Sequence, residues 1–364
     1  MKLMHISRVN DLREFDRLKE SWDAAYAADP HATICVSWAW LRGWFAVTPH
    51  KWFVLVGRSH KTSAPVAFFP LALDHHRLLM GGNPLADYTG FVCPPEHEAE
   101  AISGFAAYVQ RHVRWEKLYL RNVMDGRIDR FLEHFQSAKF TVQLKAQTSC
   151  PHVRLPDTWE RYLRESVGPT TSRDIRRSLK KVDEVERFRV TCAEAEDVDC
   201  HVETLLEHWH SRWGCPDYYR DGFREIFHRC FKDGRLWLSI LWDDTSPIGA
   251  LAAFLDPARK TMTACITSSD RTYAQLRPGK VVYAYGIRYA IEHGYEVFDF
   301  TRGNEDYKFS FGAVERFSPS VAVARKGLPV TARRFVRRLQ ASWLGENTIQ
   351  AGEARAGYLE PSSS

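Results

Sequence analysis

The sequence predicts an α/β (α+β) protein made of two copies of one unit, each a mixed, mainly antiparallel sheet flanked by helices. Three observations predict it. A strand pair occurs twice, at 52–57 with 65–73 and at 236–242 with 247–255, each joined by a short polar turn. Both second strands open on proline (Pro65, Pro247) and reach an aspartate nine positions on (Asp74, Asp256). Next, Tyr108-x-x-x-His112 and Tyr289-x-x-x-His293 sit in helical stretches, followed by strands ending near Arg121-Asn122 and at Arg302-Gly303-Asn304. The spacings agree, with Pro65 lying 56 residues before Arg121 and Pro247 lying 55 before Arg302. Finally, strand runs alternate with amphipathic stretches, the pattern of a sheet covered by helices.

In chain order, the apolar spacing predicts helix at about 11–27 and 38–45, then the first strand pair, a helix around Tyr108 and a strand. A charged helical connector follows at 157–186, then helices at 198–213 and 219–231 and the second strand pair. The expected organisation is a first unit over 1–150, a connector over 151–190, a second unit over 191–325, and a basic helix with a loose tail over 326–364.

Of the 364 residues 45% are hydrophobic, enough for a substantial core, and the net charge is only +5, from 50 Lys and Arg against 45 Asp and Glu. That balance suits small anionic ligands better than bulk nucleic acid, so DNA is not an expected partner. The eight cysteines form no C-x-x-C pair, as for buried thiols in a reducing compartment. The first 17 residues lack the apolar core of a signal peptide, and no run approaches the roughly 20 apolar residues of a membrane span. A cytoplasmic location is expected. The twelve tryptophans suit either an aromatic core or a sugar-binding cleft.

The two units differ at the entrance to the shared helix. The second has Arg277-Pro278-Gly279-Lys280, where glycine allows close backbone approach and the first-turn N–H groups and two cations favour an anion. The bland alternative is an ordinary Pro-Gly turn. The first unit has Cys93-Pro94-Pro95-Glu96-His97-Glu98, in which prolines remove donors and glutamates repel phosphate.

Asp270-x-x-Tyr273, Pro278-Gly279, His293-Gly294, Phe298-Asp299-Phe300, Gly303 and Tyr307-Lys308-Phe309 resemble the GNAT-like acetyltransferase family of the CelD/BcsL type. That family is related to the Fem-type peptidoglycan aminoacyltransferases, which also duplicate a GNAT-like unit. Pro70-Leu71, Gly81-Gly82, Asp87-Tyr88 and the basic Arg176-Arg177-x-x-Lys180-Lys181 share the likeness, which spans about 50–312. The resemblance implies acetyl-CoA or another acyl-CoA as donor and an amine, or less often a hydroxyl, as acceptor, and no metal is expected. The phosphate loop departs from the usual GNAT form, since Lys280 and Val281 follow the single Gly279. An aminoacyl-tRNA donor, as in Fem-like relatives, therefore stays open, as does a non-catalytic binding module.

Acyl transfer from a thioester needs a base, a polarised carbonyl and an acid for the thiolate. Asp299, in an apolar strand, is a candidate base or amine anchor, or else half of a buried ion pair with Arg302 or Lys308. Tyr307 is the candidate acid and Lys308 a phosphate or substrate ligand, against an aromatic core contact and a surface lysine. Arg277, Pro278, Gly279 and Lys280 are the expected donor cradle, with Asp270 and Tyr273 lining its approach or capping structure. Asp87 and Tyr88 are expected to reach the acceptor across the cleft, or to form an Asx turn. On the 198–213 helix, one of His208 and His210 is expected to contact substrate, here taken as His210, together with Trp213. His75-His76 lack partners for a zinc site. The cations Arg173, Arg176, Arg177, Lys180 and Lys181 form either a solvated face or one that steers an anionic donor. A basic amphipathic stretch at 331–344 is expected to pack as a helix or to touch a membrane surface.

Overall fold

The computed structural model describes residues 4–326. The chain runs β1 (His5–Val9), α1 (Leu12–Asp16), α2 (Lys19–Ala28), α3 (Trp38–Val47), β2 (Lys51–Arg58), β3 (Pro65–Asp74), β4 (Arg77–Met80), α4 (Glu98–His112), β5 (Lys117–Leu120), α5 (Arg127–Glu133) and β6 (Phe140–Ser149). It continues with β7 (His152–Arg154), α6 (Trp159–Glu165), α7 (Pro169–Glu184), β8 (Phe188–Cys192), α8 (Val198–Trp213), α9 (Asp217–Lys232), β9 (Leu236–Asp243), β10 (Ser246–Asp256) and β11 (Thr261–Ser269). Last come α10 (Pro278–Glu292), β12 (Val297–Asp299), α11 (Asp306–Ser310) and β13 (Phe317–Arg325).

Two sheets result, of order β1-β2-β3-β4-β5-β13-β6 and β7-β12-β11-β10-β9-β8. Each is antiparallel except for one neighbouring pair, β4 with β5 and β11 with β12, which run parallel around the crossover helices α4 and α10. A parallel pair needs such a crossover, so the shared helix of the repeat sits at the same place in both sheets. The duplicated α/β architecture is therefore present in both sheets.

The ends of the two units are exchanged. β7, from the expected connector, pairs with β12 in the second sheet, and β13, from the expected second unit, lies between β5 and β6 in the first. A division at 150 and 191 therefore cuts through both sheets, and residues 4–325 behave as one compact unit. The expected helix over 11–27 is two helices that turn at Arg17-Leu18, and the connector breaks at Gly168-Pro169 because proline supplies no N–H to continue α6. The strand expected to end at Arg302 stops at Asp299, where Thr301 turns with φ 58°. The stretch at 331–344 lies outside the described residues.

Helices α2 and α3 of the first half pack with α8 and α9 of the second in one apolar layer between the sheets. Its members include Trp22, Trp44, Leu206, Ile226 and Phe254. The layer is tight: a Cβ on Gly43 of α3 would come within 2.7 Å of the Ile226 Cα on α9. Separate cores lie on the outer faces, under α4 and α5 on one sheet and under α6, α7 and α10 on the other. The tryptophans Trp22, Trp40 and Trp44 are fully buried.

Candidate active site

In the second half β12 pairs with β11 only over Thr261–Thr263, whereas β10 covers β11 to its last residue, Ser269. Residues 264–269 of β11 thus border a notch that no strand of the described residues fills. At its mouth α10 begins with Pro278 at the first helical position and no side-chain cap. The N–H groups of Lys280 and Val281 return to the Arg277 carbonyl at 2.9 and 3.2 Å, leaving that of Gly279 without an acceptor among the described residues. An uncapped helix start of this kind favours an anion. The notch is close to Gly279, where an added Cβ would lie 3.3 Å from the Ser269 Oγ at the end of β11.

Arg212, near the end of α8, donates from Nη1 to the Ser269 carbonyl and, at 2.7 Å, to its Oγ. Tyr283 of α10 and Tyr307 of α11 meet hydroxyl to hydroxyl at 3.1 Å. Burial pushes the Tyr307 phenol up to about 12, so it keeps its proton at neutral pH. His208, also on α8, lies half-buried within the electrostatic reach of Asp270 and Arg212, and its Nδ1 is buried without a partner. Burial, helped by Arg212, holds its imidazole below the usual histidine range and therefore neutral.

A second polar cluster joins the halves. Buried Asp299 accepts at Oδ1 from the Tyr88 hydroxyl and the Thr301 N–H, each at 2.9 Å, and at Oδ2 from Arg316. Burial raises its carboxyl above the usual range despite the guanidinium. Its ionic partner is thus Arg316, and neither Arg302 nor Lys308, because both of those are engaged elsewhere. Arg302 donates to Asp87 at 2.8 Å, so Asp87-Tyr88 does cross between the halves, toward Arg302 and Asp299. Lys308 is buried, not a surface lysine: its Nζ donates to the carbonyls of Arg302 and Gly303 and pairs with Glu305 at 2.9 Å. It holds the loop after β12 in shape, and all of these contacts come from its own segment.

The same notch in the first half is closed. The loop after β4 folds back, so that Val92 bridges Phe68 of β3 and Thr89 bridges Val123 beyond β5. Thr89 N–H donates to the Asn122 carbonyl at 2.9 Å. Buried Arg127 locks the plug by binding Asp29, Asp125 and the Phe91 and Cys93 carbonyls. At the spacing of 181 that relates Arg121 to Arg302, Arg127 corresponds to Lys308, a correspondence legible in the sequence. The first turn of α4 also carries Glu98 and Glu100.

Other expected residues take structural positions. Asp270 accepts from Thr272 N–H and hydroxyl at 2.8 and 2.7 Å, capping a short turn, and Tyr273 donates to Asp243 at 2.7 Å. His210 Nδ1 faces the Cys215 carbonyl at 3.0 Å and steadies the end of α8, so the histidine turned to the notch is His208. Trp213 lies beneath the Arg212 guanidinium at 4.9 Å. Arg277 adopts φ 54° and pairs with Asp174 of α7. Arg316, Ser269 and Tyr283 were not singled out from the sequence as site residues, because nothing local distinguishes them, and Arg212 was placed there only on a helix expected to border the cleft. Among the described residues no cluster of three or more His, Cys, Asp or Glu could hold a metal, and no helix is long and apolar enough to cross a membrane.

Residues 170–309 match the acetyltransferase (GNAT) domain family. Among solved structures, FemX has a TM-score of 0.60 at 12% identity, covering 88% of this chain and 97% of its own. A tandem GNAT protein from the clavulanic acid biosynthesis pathway gives 0.52 at 12%, covering 89% and 100%. L-PGS from Bacillus licheniformis gives 0.54 at 10%, covering 88% and 96%. A search of curated proteins finds no match. At these identities the structures bear on the fold alone. The match over 170–309 thus makes the second half similar to a GNAT acetyltransferase domain, and the two sheets share the duplicated fold of these solved structures.

Proposed function

We propose that the chain transfers an acyl group, acetyl in the simplest case, from a CoA thioester to an amine of a small-molecule or cell-envelope precursor. The observation that carries this reading is the contrast between the halves: one notch is open beside an uncapped helix start, the other is plugged by its own chain. The donor diphosphate lies against the Gly279 N–H, with Lys280 beside it. The amides of the pantetheine arm run along the free edge of β11 as an added strand would. The acceptor amine attacks the thioester carbonyl, the C–S bond breaks, and Tyr307 protonates the departing thiolate. His208, neutral and close to Arg212, takes the proton from the amine. Asp299 joins the halves, since its oxygens are already occupied.

Calorimetric titration with acetyl-CoA tests the donor. Wild type is expected to bind, and Gly279→Glu to weaken binding ~30-fold or more, about 2 kcal/mol, by placing a carboxylate at the helix start. No binding by wild type at millimolar thioester would sink the reading.

The base is tested by pH. Neutral imidazole is the competent form and its pKa is lowered, so kcat/KM is expected to hold steady near neutrality and to fall only below the usual histidine range. His208→Gln should remove that acid limb. An unchanged limb would place the base elsewhere.

The cations of α7 favour a second reading, an aminoacyl-tRNA donor. A steep fall of donor binding with salt would support it.

A further inference from the structure

Beside the start of α10 lies a groove of about 520 Å³ lined by Arg177, Ser178 and Lys181 of α7 and by Ala274, Gln275 and Arg277 of the turn before α10. Its volume falls within the roughly 300–1,000 Å³ of small-molecule clefts. Three cations line it, and the nearby carboxylate of Asp174 pairs with both Arg177 and Arg277. Three positive charges against one negative leave a net of +2, which matches a dianionic phosphate monoester. A phosphodiester would carry only half that charge. The Ser178 hydroxyl and the Gln275 amide add donors that a phosphate ester and a nucleoside can use.

The wall is fixed in place. Ile175, Leu179 and Val182 bury the opposite face of α7 in the core that α10 shares, and the Tyr285 hydroxyl of α10 donates to Asp183 at 3.1 Å. Arg277 belongs to both places, lining the groove and immediately preceding Pro278. A ligand with a diphosphate at Gly279 would therefore carry a second phosphate into the groove if both were borne by one ribose.

The geometry points to a second phosphate site for the donor: the groove takes the 3′-phosphate on the ribose of a CoA thioester, and α7 thereby selects 3′-phosphorylated donors. This rests on the donor reading given above. It assigns a function to the basic face of α7, which the chemistry at the notch does not use.

Titration of the full chain with acetyl-CoA and with acetyl-3′-dephospho-CoA tests it, in wild type and in the double variant Arg177→Ala/Lys181→Ala. Both side chains are exposed, and circular dichroism checks that the variant is folded. Wild type is expected to prefer acetyl-CoA roughly tenfold. The double variant should lose that preference, binding acetyl-CoA more weakly and the dephospho thioester as before. Equal affinity of wild type for the two thioesters overturns the groove and leaves the donor reading standing. Equal weakening of both by the double variant also overturns it, since that marks a general field. Binding of neither thioester overturns both readings, and tRNA binding lost in the same variant would then assign the α7 face to a polynucleotide.

Discussion

Tyr307→Phe is expected to lower kcat for acyl transfer ~10²–10⁴-fold, the usual worth of a positioned proton donor, while donor KM stays unchanged. The expectation follows from where the phenol sits. It is held at 3.1 Å by the Tyr283 hydroxyl, and burial raises it to about 12, so it carries a proton throughout the neutral range. A thiolate leaving the notch would otherwise depart unprotonated. The substitution keeps the ring contact with Tyr283 and removes only the hydroxyl. The Tyr283 hydroxyl loses its Tyr307 partner in the variant, so the melting temperature should be measured alongside. Single-turnover kinetics separate the chemical step from product release. A kcat equal to wild type would remove Tyr307 from the chemistry.

Asp299→Ala is expected to destabilise the fold by about 3 kcal/mol, read from urea denaturation. The alanine leaves the Arg316 guanidinium and the buried Tyr88 hydroxyl without their shared acceptor, and it takes away a carboxylate that the Thr301 N–H also uses. Arg316 keeps about a third of its side chain in solvent, which places the loss at the lower end of the range for broken buried pairs. Asp299→Asn is the informative companion. Its amide oxygen still accepts from Tyr88 and Thr301, so a joining role predicts substantial retained activity with a modest stability loss. Abolished transfer with wild-type stability would make Asp299 the base and overturn its assignment as a joint.

Much of this architecture is legible before any coordinates. The two hairpins stand out because each strand carries a continuous apolar run between polar turns, and their proline and aspartate ends repeat in register. The uncapped start of α10 is readable from Pro278-Gly279 because its geometry depends on four consecutive residues. The exchange of β7 and β13 is not readable. Val321 reaches its partner Leu120 across some 200 residues, and an apolar strand looks the same whichever sheet receives it. The choice between His208 and His210 fails for the same reason: both lie on one helix, and only the packing of α8 against β11 decides which faces the notch.

By itself, then, the sequence determined a duplicated α/β chain with two unequal helix entrances, because local pattern and spacing encode secondary structure and repeats. Only the tertiary structure decided that one notch is open and the other plugged. That outcome depends on where the loop after β4 folds back and on which distant carbonyls and carboxylates Arg127 finds there. It likewise decided that Asp299 is paired with Arg316, since a buried charge takes whichever partner the folded chain brings within reach.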